Sequence, residues 1–164
     1  MPPANFRHLA TIAAACLFFL ALTGGCAPRF QQKTLEPTRY KVTKSHPAVN
    51  IAQGMLGKPY RPGGNSPQKG FDCSGLVHYA FSQAGIAVPR TTRSLYQQAT
   101  PVPPGKIQAG DLLFFRINGR VSHVGIYVAE KTFIHAPSSG KRVSYAQLDN
   151  PYWSSRLTKT GRVD

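Results

Sequence analysis

The chain has 164 residues, enough for one domain with a core of its own and too few to favour two. Its 41% hydrophobic and 16% charged residues are ordinary for a globular protein. The 20 Lys and Arg against 6 Asp and Glu are not ordinary: the net charge of +14 attracts polyanions such as nucleic acid, an anionic membrane surface or an acidic cell-wall polymer, without naming one.

Residues 1–25 read as a signal peptide. Met1 to Ala10 carries Arg7 and no acid, and Leu9 to Leu22 is a run of about 14 apolar or small residues, short for a membrane span but right for an export signal. The stretch LTGGC resembles a bacterial lipoprotein cleavage site, which implies Cys26 as the lipidated first residue. A leucine is usual three positions before that cysteine; here Thr23 stands there and Leu22 lies one further out. Simple secretion or a retained anchor would export the domain equally. Export makes nucleic acid a poor partner. It also isolates Cys73, because Cys16 leaves with the signal and a lipidated Cys26 has no thiol, so no intramolecular disulfide is open to Cys73.

Residues 26–44 are polar, basic and without period, and read as a tether reaching roughly 60 Å if fully extended. The globular domain is expected over 45–164. Ser45 or Pro47 opens a first helix with Val49, Ile51, Ala52, Met55 and Leu56 on its apolar positions, ending at Gly57. Arg61 to Gly70 is a loop by composition. A second helix follows, with Asp72 as N-cap, Leu76, Val77, Ala80, Phe81 and Ala84 on one face, and Gly85 as its stop. The second half reads as strands: 111–117, the turn Asn118-Gly119-Arg120, then 121–129, 132–136 and 142–146. Helices first and an antiparallel sheet afterwards make the class α+β.

Cys73 falls at the start of the second helix, where unpaired N–H groups and the helix dipole favour a thiolate. A base is needed as well, and histidine is the usual one. His8 lies in the signal, His46 at the domain edge, and His78 about 140° around the helix from Cys73. His123 and His135 remain, each inside a predicted strand. A three-residue connection over Ala129 to Lys131 pairs residue 125 with 135 and leaves 123 one diagonal step away on the same face. An unbulged two-residue turn separates the two histidines onto opposite faces. The first register permits a triad of Cys73 as nucleophile, His123 as base and His135 holding its tautomer. Gly125 would let the cysteine helix approach closely. The same three residues also make a zinc ligand set by number, although the close ligand pairs usual in zinc sites are missing. A packed small cysteine and a histidine bonded to a carbonyl are the plainer readings of the same letters.

GKPYRPGGNSPQKGFDCSGLVHYAF, GDLLFF, SHVGIYV and FIHAPSSGKRV, in this order, closely resemble the NlpC family of bacterial cell-wall cysteine peptidases. The likeness runs through nearly all of residues 47–154. It implies a papain-like core, the triad Cys73, His123 and His135, no metal or other cofactor, and hydrolysis of a peptide bond in peptidoglycan stems. It also implies that Tyr60 lies near the nucleophile, that Asp72 and Ser74 line the substrate groove, and that Arg90 faces substrate carboxylates. Asp72 serves equally as a bare N-cap. Asp111 reads as a turn residue before a strand, and Tyr152 and Trp153 as packing residues. The expected partners are peptidoglycan stem peptides and, through Cys26, a membrane. Ala27 after Cys26 favours the outer membrane if the cell is Gram-negative. A monomer is expected, and a wall-binding lipoprotein without catalysis is the alternative.

Overall fold

Pro47 suits the first helical position, because its missing N–H would go unpaired there and its φ is already helical. The computed structural model describes residues 46–163, and in it Pro47 begins α1 (Pro47–Gln53), capped by His46, whose Nδ1 accepts from the Ala48 amide at 3.2 Å. The helix stops four residues short of the expected Gly57. Met55 and Leu56 continue only as tight turns onto the Ala52 and Gln53 carbonyls before Gly57 turns left-handed at φ 79°. Their apolar letters fit the helical period, but Leu56 is solvent-exposed. The expected signal peptide, the expected lipidation site at Cys26 and the expected tether lie outside the described residues.

The Gly-rich loop contains a small hairpin, β1 (Asn65–Ser66) and β2 (Gly70–Phe71), which leads into α2 (Cys73–Gln83). Next come α3 (Thr92–Gln98) and the short β3 (Thr100–Pro101), neither of which the apolar pattern announces. The main strands are β4 (Leu112–Ile117), β5 (Arg120–Ala129), β6 (Thr132–His135) and β7 (Ser144–Gln147). The one-turn α4 (Pro151–Ser154) precedes β8 (Leu157–Arg162). The sheet is antiparallel with the order β3-β8-β4-β5-β6-β7. This is the expected α+β architecture, with β8 added at the centre-left of the sheet.

Two turns set the register that matters. Asn118 and Gly119 both have positive φ, as a two-residue hairpin between right-twisted strands demands, and they pair Ile117 with Arg120. Glu130 and Lys131 do the same between β5 and β6. The connection is therefore two residues long, not the expected three. A bulge compensates: Tyr127 pairs with Phe133 and Ala129 with Thr132, leaving Val128 without a partner. Past the bulge Ile126 faces Ile134, so the register carries Gly125 opposite His135 and keeps His123 on its face.

The sheet is buried on both faces. Leu76, Val77, Ala80 and Phe81 of α2 pack with Val49, Leu112, Phe114, Val124, Ile126 and Ile134 in the main core. Leu113, Phe115 and Phe133 form a second cluster on the other face, under Trp153 and Leu157. Alternation along β4 and β5 thus feeds two cores, and this buries Leu112 to Phe115 without a gap.

Candidate active site

Asp72 builds the front of α2. It caps the helix by accepting the Gly75 amide on Oδ1 at 2.6 Å, while Oδ2 accepts the Gly63 amide from the loop at 2.9 Å. Gly75 is needed because any Cβ there would collide with the Gly64 carbonyl. Arg90 closes the cluster. Its Nη1 donates to Asp72 Oδ1 at 2.9 Å and to Ser74 Oγ at 3.0 Å, and its Nη2 donates to Asp72 Oδ2 at 2.8 Å and to the Gly64 carbonyl at 3.1 Å. Both terminal nitrogens are thus engaged within the protein. Arg90 clamps the start of α2. Burial pushes the Asp72 carboxyl up, but the Arg90 and Gly75 hydrogen bonds and the Arg90 charge outweigh it, so the group stays ionised below the usual range.

Cys73, the first residue of α2, is nearly fully buried at 9% exposure and is the free cysteine of the described residues. Its sulfur lies 3.6 Å from Thr92 Oγ1 of α3 and 3.8 Å from the Ser122 carbonyl of β5. The Val124 amide also reaches it. The thiol therefore abuts the strand on both sides of His123, with its hydrogen bonds to Thr92 and Ser122 rather than to the ring. The helix start alone predicts a lowered thiol pKa; the direction is the reverse. Burial pushes it up, more than the Thr92 hydroxyl and the Val124 and Ser74 amides pull it down, and the Asp72 charge adds to the rise.

His123 and His135 do meet. His123 Nε2 lies 2.8 Å from His135 Nδ1, with the rings nearly perpendicular and both buried. Burial lowers His123 to about 4. Burial, then His123 and Lys141, lowers His135 to about 3. The rings are neutral at pH 7, and their shared bond leaves Nδ1 of His123 as its other nitrogen. Tyr60 lies close enough to Cys73 and Asp72 for both charges to act on it. Burial first, and then those charges, raise its phenol above 10.0, so it keeps its proton. His78 is bonded at Nδ1 to the Val88 carbonyl at 2.9 Å, the plainer role. Among the described residues no three His, Cys, Asp or Glu side chains are arranged to hold a metal ion.

Three further expectations change. Gly125 does not admit α2: a Cβ there would meet Phe133 Cδ2 at 2.5 Å, so the glycine admits the ring from β6. Asp111 is more than a turn residue, being 1% exposed and bound side-on by Arg162 at 2.7 and 2.9 Å. Trp153 is packing of a particular kind, stacked on His123 with centroids 5.3 Å apart. Thr92 and Trp153 are the site residues that sequence reasoning missed. They stand 19 and 80 positions from Cys73, and nothing in their local pattern marks them.

A cysteine at a helix start, packed against an antiparallel sheet that carries a bonded histidine pair, defines a papain-like core. The chain belongs to the NlpC/P60 family, whose sequence pattern it matches over residues 57–162. It is 41% identical over 121 residues to murein DD-endopeptidase MepH of Escherichia coli, covering 71% of this chain and 45% of that one. It is 39% identical over 125 residues to the gamma-DL-glutamyl hydrolase of Bacillus subtilis, covering 74% of this chain and 30% of that one. Among solved structures, the NlpC/p60 domain of peptidoglycan hydrolase SagA superposes with a TM-score of 0.62 at 30% identity, over 71% of this chain and 97% of that one. A protein described as similar to lipoprotein, from Staphylococcus aureus, superposes with 0.66 at 33% identity, over 77% and 45%. The match to these curated relatives spans less than half of their length.

Proposed function

We propose that this domain is a peptidoglycan endopeptidase in which Cys73 attacks an amide carbonyl of a stem peptide, with His123 as base and His135 as its orienting partner. The observation that carries the reading is the 2.8 Å bond between His123 Nε2 and His135 Nδ1, on the strand that the Cys73 sulfur touches. For His123 Nδ1 to accept a proton, its Nε2 must carry one; in that tautomer His123 Nε2–H donates to His135 Nδ1 across the 2.8 Å bond.

With the thiol pKa raised and the imidazole lowered, the proton rests on sulfur at neutral pH. Its transfer to His123 Nδ1 accompanies formation of the C–S bond, and the tetrahedral oxyanion meets the Cys73 amide and the Tyr60 hydroxyl. His123 then hands the proton to the leaving nitrogen as the C–N bond breaks, giving a thioester and a free amine. A water loses a proton to His123, attacks the thioester, and releases the acid and the thiol. Asp72 and Ser74, held by Arg90, wall the groove beside the nucleophile and fix its helix.

Two relatives are named for different specificities, a murein DD-endopeptidase and a gamma-DL-glutamyl hydrolase. The bond cleaved is a stem-peptide amide, either D-Glu–diaminopimelate or a cross-link between stems. A lipid on Cys26 would hold the domain, by residues 26–44, at the membrane face next to its substrate. Mass spectrometry of purified muropeptides incubated with the protein and with its Cys73→Ala variant tests the reading. New products from the first alone are expected, and their masses name the bond. Intact binding with no products from either supports the wall-binding alternative instead.

A further inference from the structure

A single hydrogen bond fixes where one atom of an imidazole lies; it does not fix the plane of the ring. His123 must hold Nε2 on His135 and also aim Nδ1 at the sulfur, so rotation about the bonded nitrogen has to be limited by something else. Trp153 lies nearly parallel to His123, at 26° with centroids 5.3 Å apart, and meets His135 edge-on at 4.9 Å and 88°. It is itself held from three sides, edge-on to Phe115 at 4.9 Å, Phe133 at 5.4 Å and Tyr152 at 4.8 Å.

The backbone under Trp153 is equally constrained. Asn150 Oδ1 accepts the Tyr152 amide at 2.9 Å, and Arg156 both donates to the Tyr152 carbonyl at 2.9 Å and sits 4.0 Å over the Tyr152 ring. A four-residue helix with no core of its own thus carries one indole onto both histidines.

We infer that Trp153 is a positioning residue, which sets the plane of the His123 ring and shields the His123–His135 hydrogen bond from water. The inference rests on His123 acting as the base. The indole face also suits the imidazolium that forms during turnover, since a cation is attracted to the ring quadrupole. The groups that face the pair are Cys73 from α2, Lys141 from the loop after β6, and the aromatic rings of β4, β6 and α4. A purely structural role would require only that an apolar side chain fill the space.

Three variants separate the two. Trp153→Phe keeps a ring, Trp153→Leu keeps apolar volume without one, and Trp153→Ala removes both. On muropeptides, Leu and Ala are expected to lower kcat about tenfold or more with KM within about twofold, and Phe to recover most of the loss. Equal kcat for Phe and Leu overturns the inference. The rate of Cys73 alkylation against pH reads the same coupling without a peptide substrate, and its acid limb should move to higher pH in the Ala variant as the ring becomes hydrated. An unmoved limb counts against shielding. Trp153 is the one tryptophan of the chain, so its fluorescence reports its neighbour directly. Acid quenching is expected in the wild type and should be absent in His123→Gln/His135→Gln, since the indole touches both rings. If the wild type cleaves nothing, the proposed function fails alone, while alkylation and fluorescence still decide the role of Trp153.

Discussion

Arg90 holds both carboxylate oxygens of Asp72, at 2.9 and 2.8 Å, and through them it holds the first turn of the helix that carries Cys73. The pair is about one-third exposed on the arginine side and one-sixth on the aspartate side. Replacing Arg90 by Met leaves a capping carboxylate without its partner and is expected to cost on the order of 2 kcal/mol in urea unfolding. Arg90→Lys should recover little, since an ammonium cannot bridge Asp72, Ser74 and the Gly64 carbonyl at once. Full recovery by Lys would mean that only the charge matters.

Stability should fall on the acid side of neutrality. His123 is lowered from 6.5 to about 4, so the folded state binds fewer protons than the unfolded chain between those values. Its stabilisation is complete above 6.5 and is lost as the pH falls toward 4. His135 behaves likewise down to about 3. Between pH 7 and pH 5 the loss is on the order of 2 kcal/mol per ring. Urea unfolding at the two pH values checks this, with His123→Gln/His135→Gln as the control that should show a much smaller difference.

Gly75 is the close-approach glycine of the site. Gly75→Ala drives a methyl into the Gly64 carbonyl, and the loop can yield only by loosening its hold on Asp72. A destabilisation of about 2 kcal/mol is expected, together with slower Cys73 alkylation. Gly85→Ala, where nothing lies within 4 Å but φ is +80°, should lower stability and leave the alkylation rate unchanged.

Asp111 and Arg162 provide the converse case. Their pair ties the start of β4 to the end of β8 with the carboxylate buried, and the Gln108 amide adds a bond of 2.8 Å. Arg162→Met is expected to cost about 3 kcal/mol, because it strands a buried charge. At temperatures where the variant remains folded, muropeptide cleavage by it should match the wild type. A selective loss of kcat would instead tie this end of the sheet to the site.

His135→Ala should lower kcat by about a hundredfold or more, since the partner that orients the His123 ring is gone. His135→Asn, which can still accept at that position, should regain part of the rate. Chelators should leave the wild type unaffected, and thiol alkylation should abolish its activity.

Local letters determined much of this protein. Pro47 and Asp72 start helices because one lacks an N–H and the other offers an acceptor to the orphan amides of a first turn. Period-two alternation and the Asn118-Gly119 turn mark β4 and β5. The histidine pair was legible as a question of register, and the sheet answered it through a bulge at Val128 that no local pattern announces. Short elements escaped: β8 has one large apolar residue in six, and its strand state comes from pairing with β3 and β4 rather than from its own composition. The inward turn of Arg90, the hydroxyl of Thr92 beside the sulfur and the indole on His123 depend on contacts between residues 16 to 30 positions apart. Only chain folding brings such groups within reach, and burial then reverses the thiol pKa that the helix start alone would set.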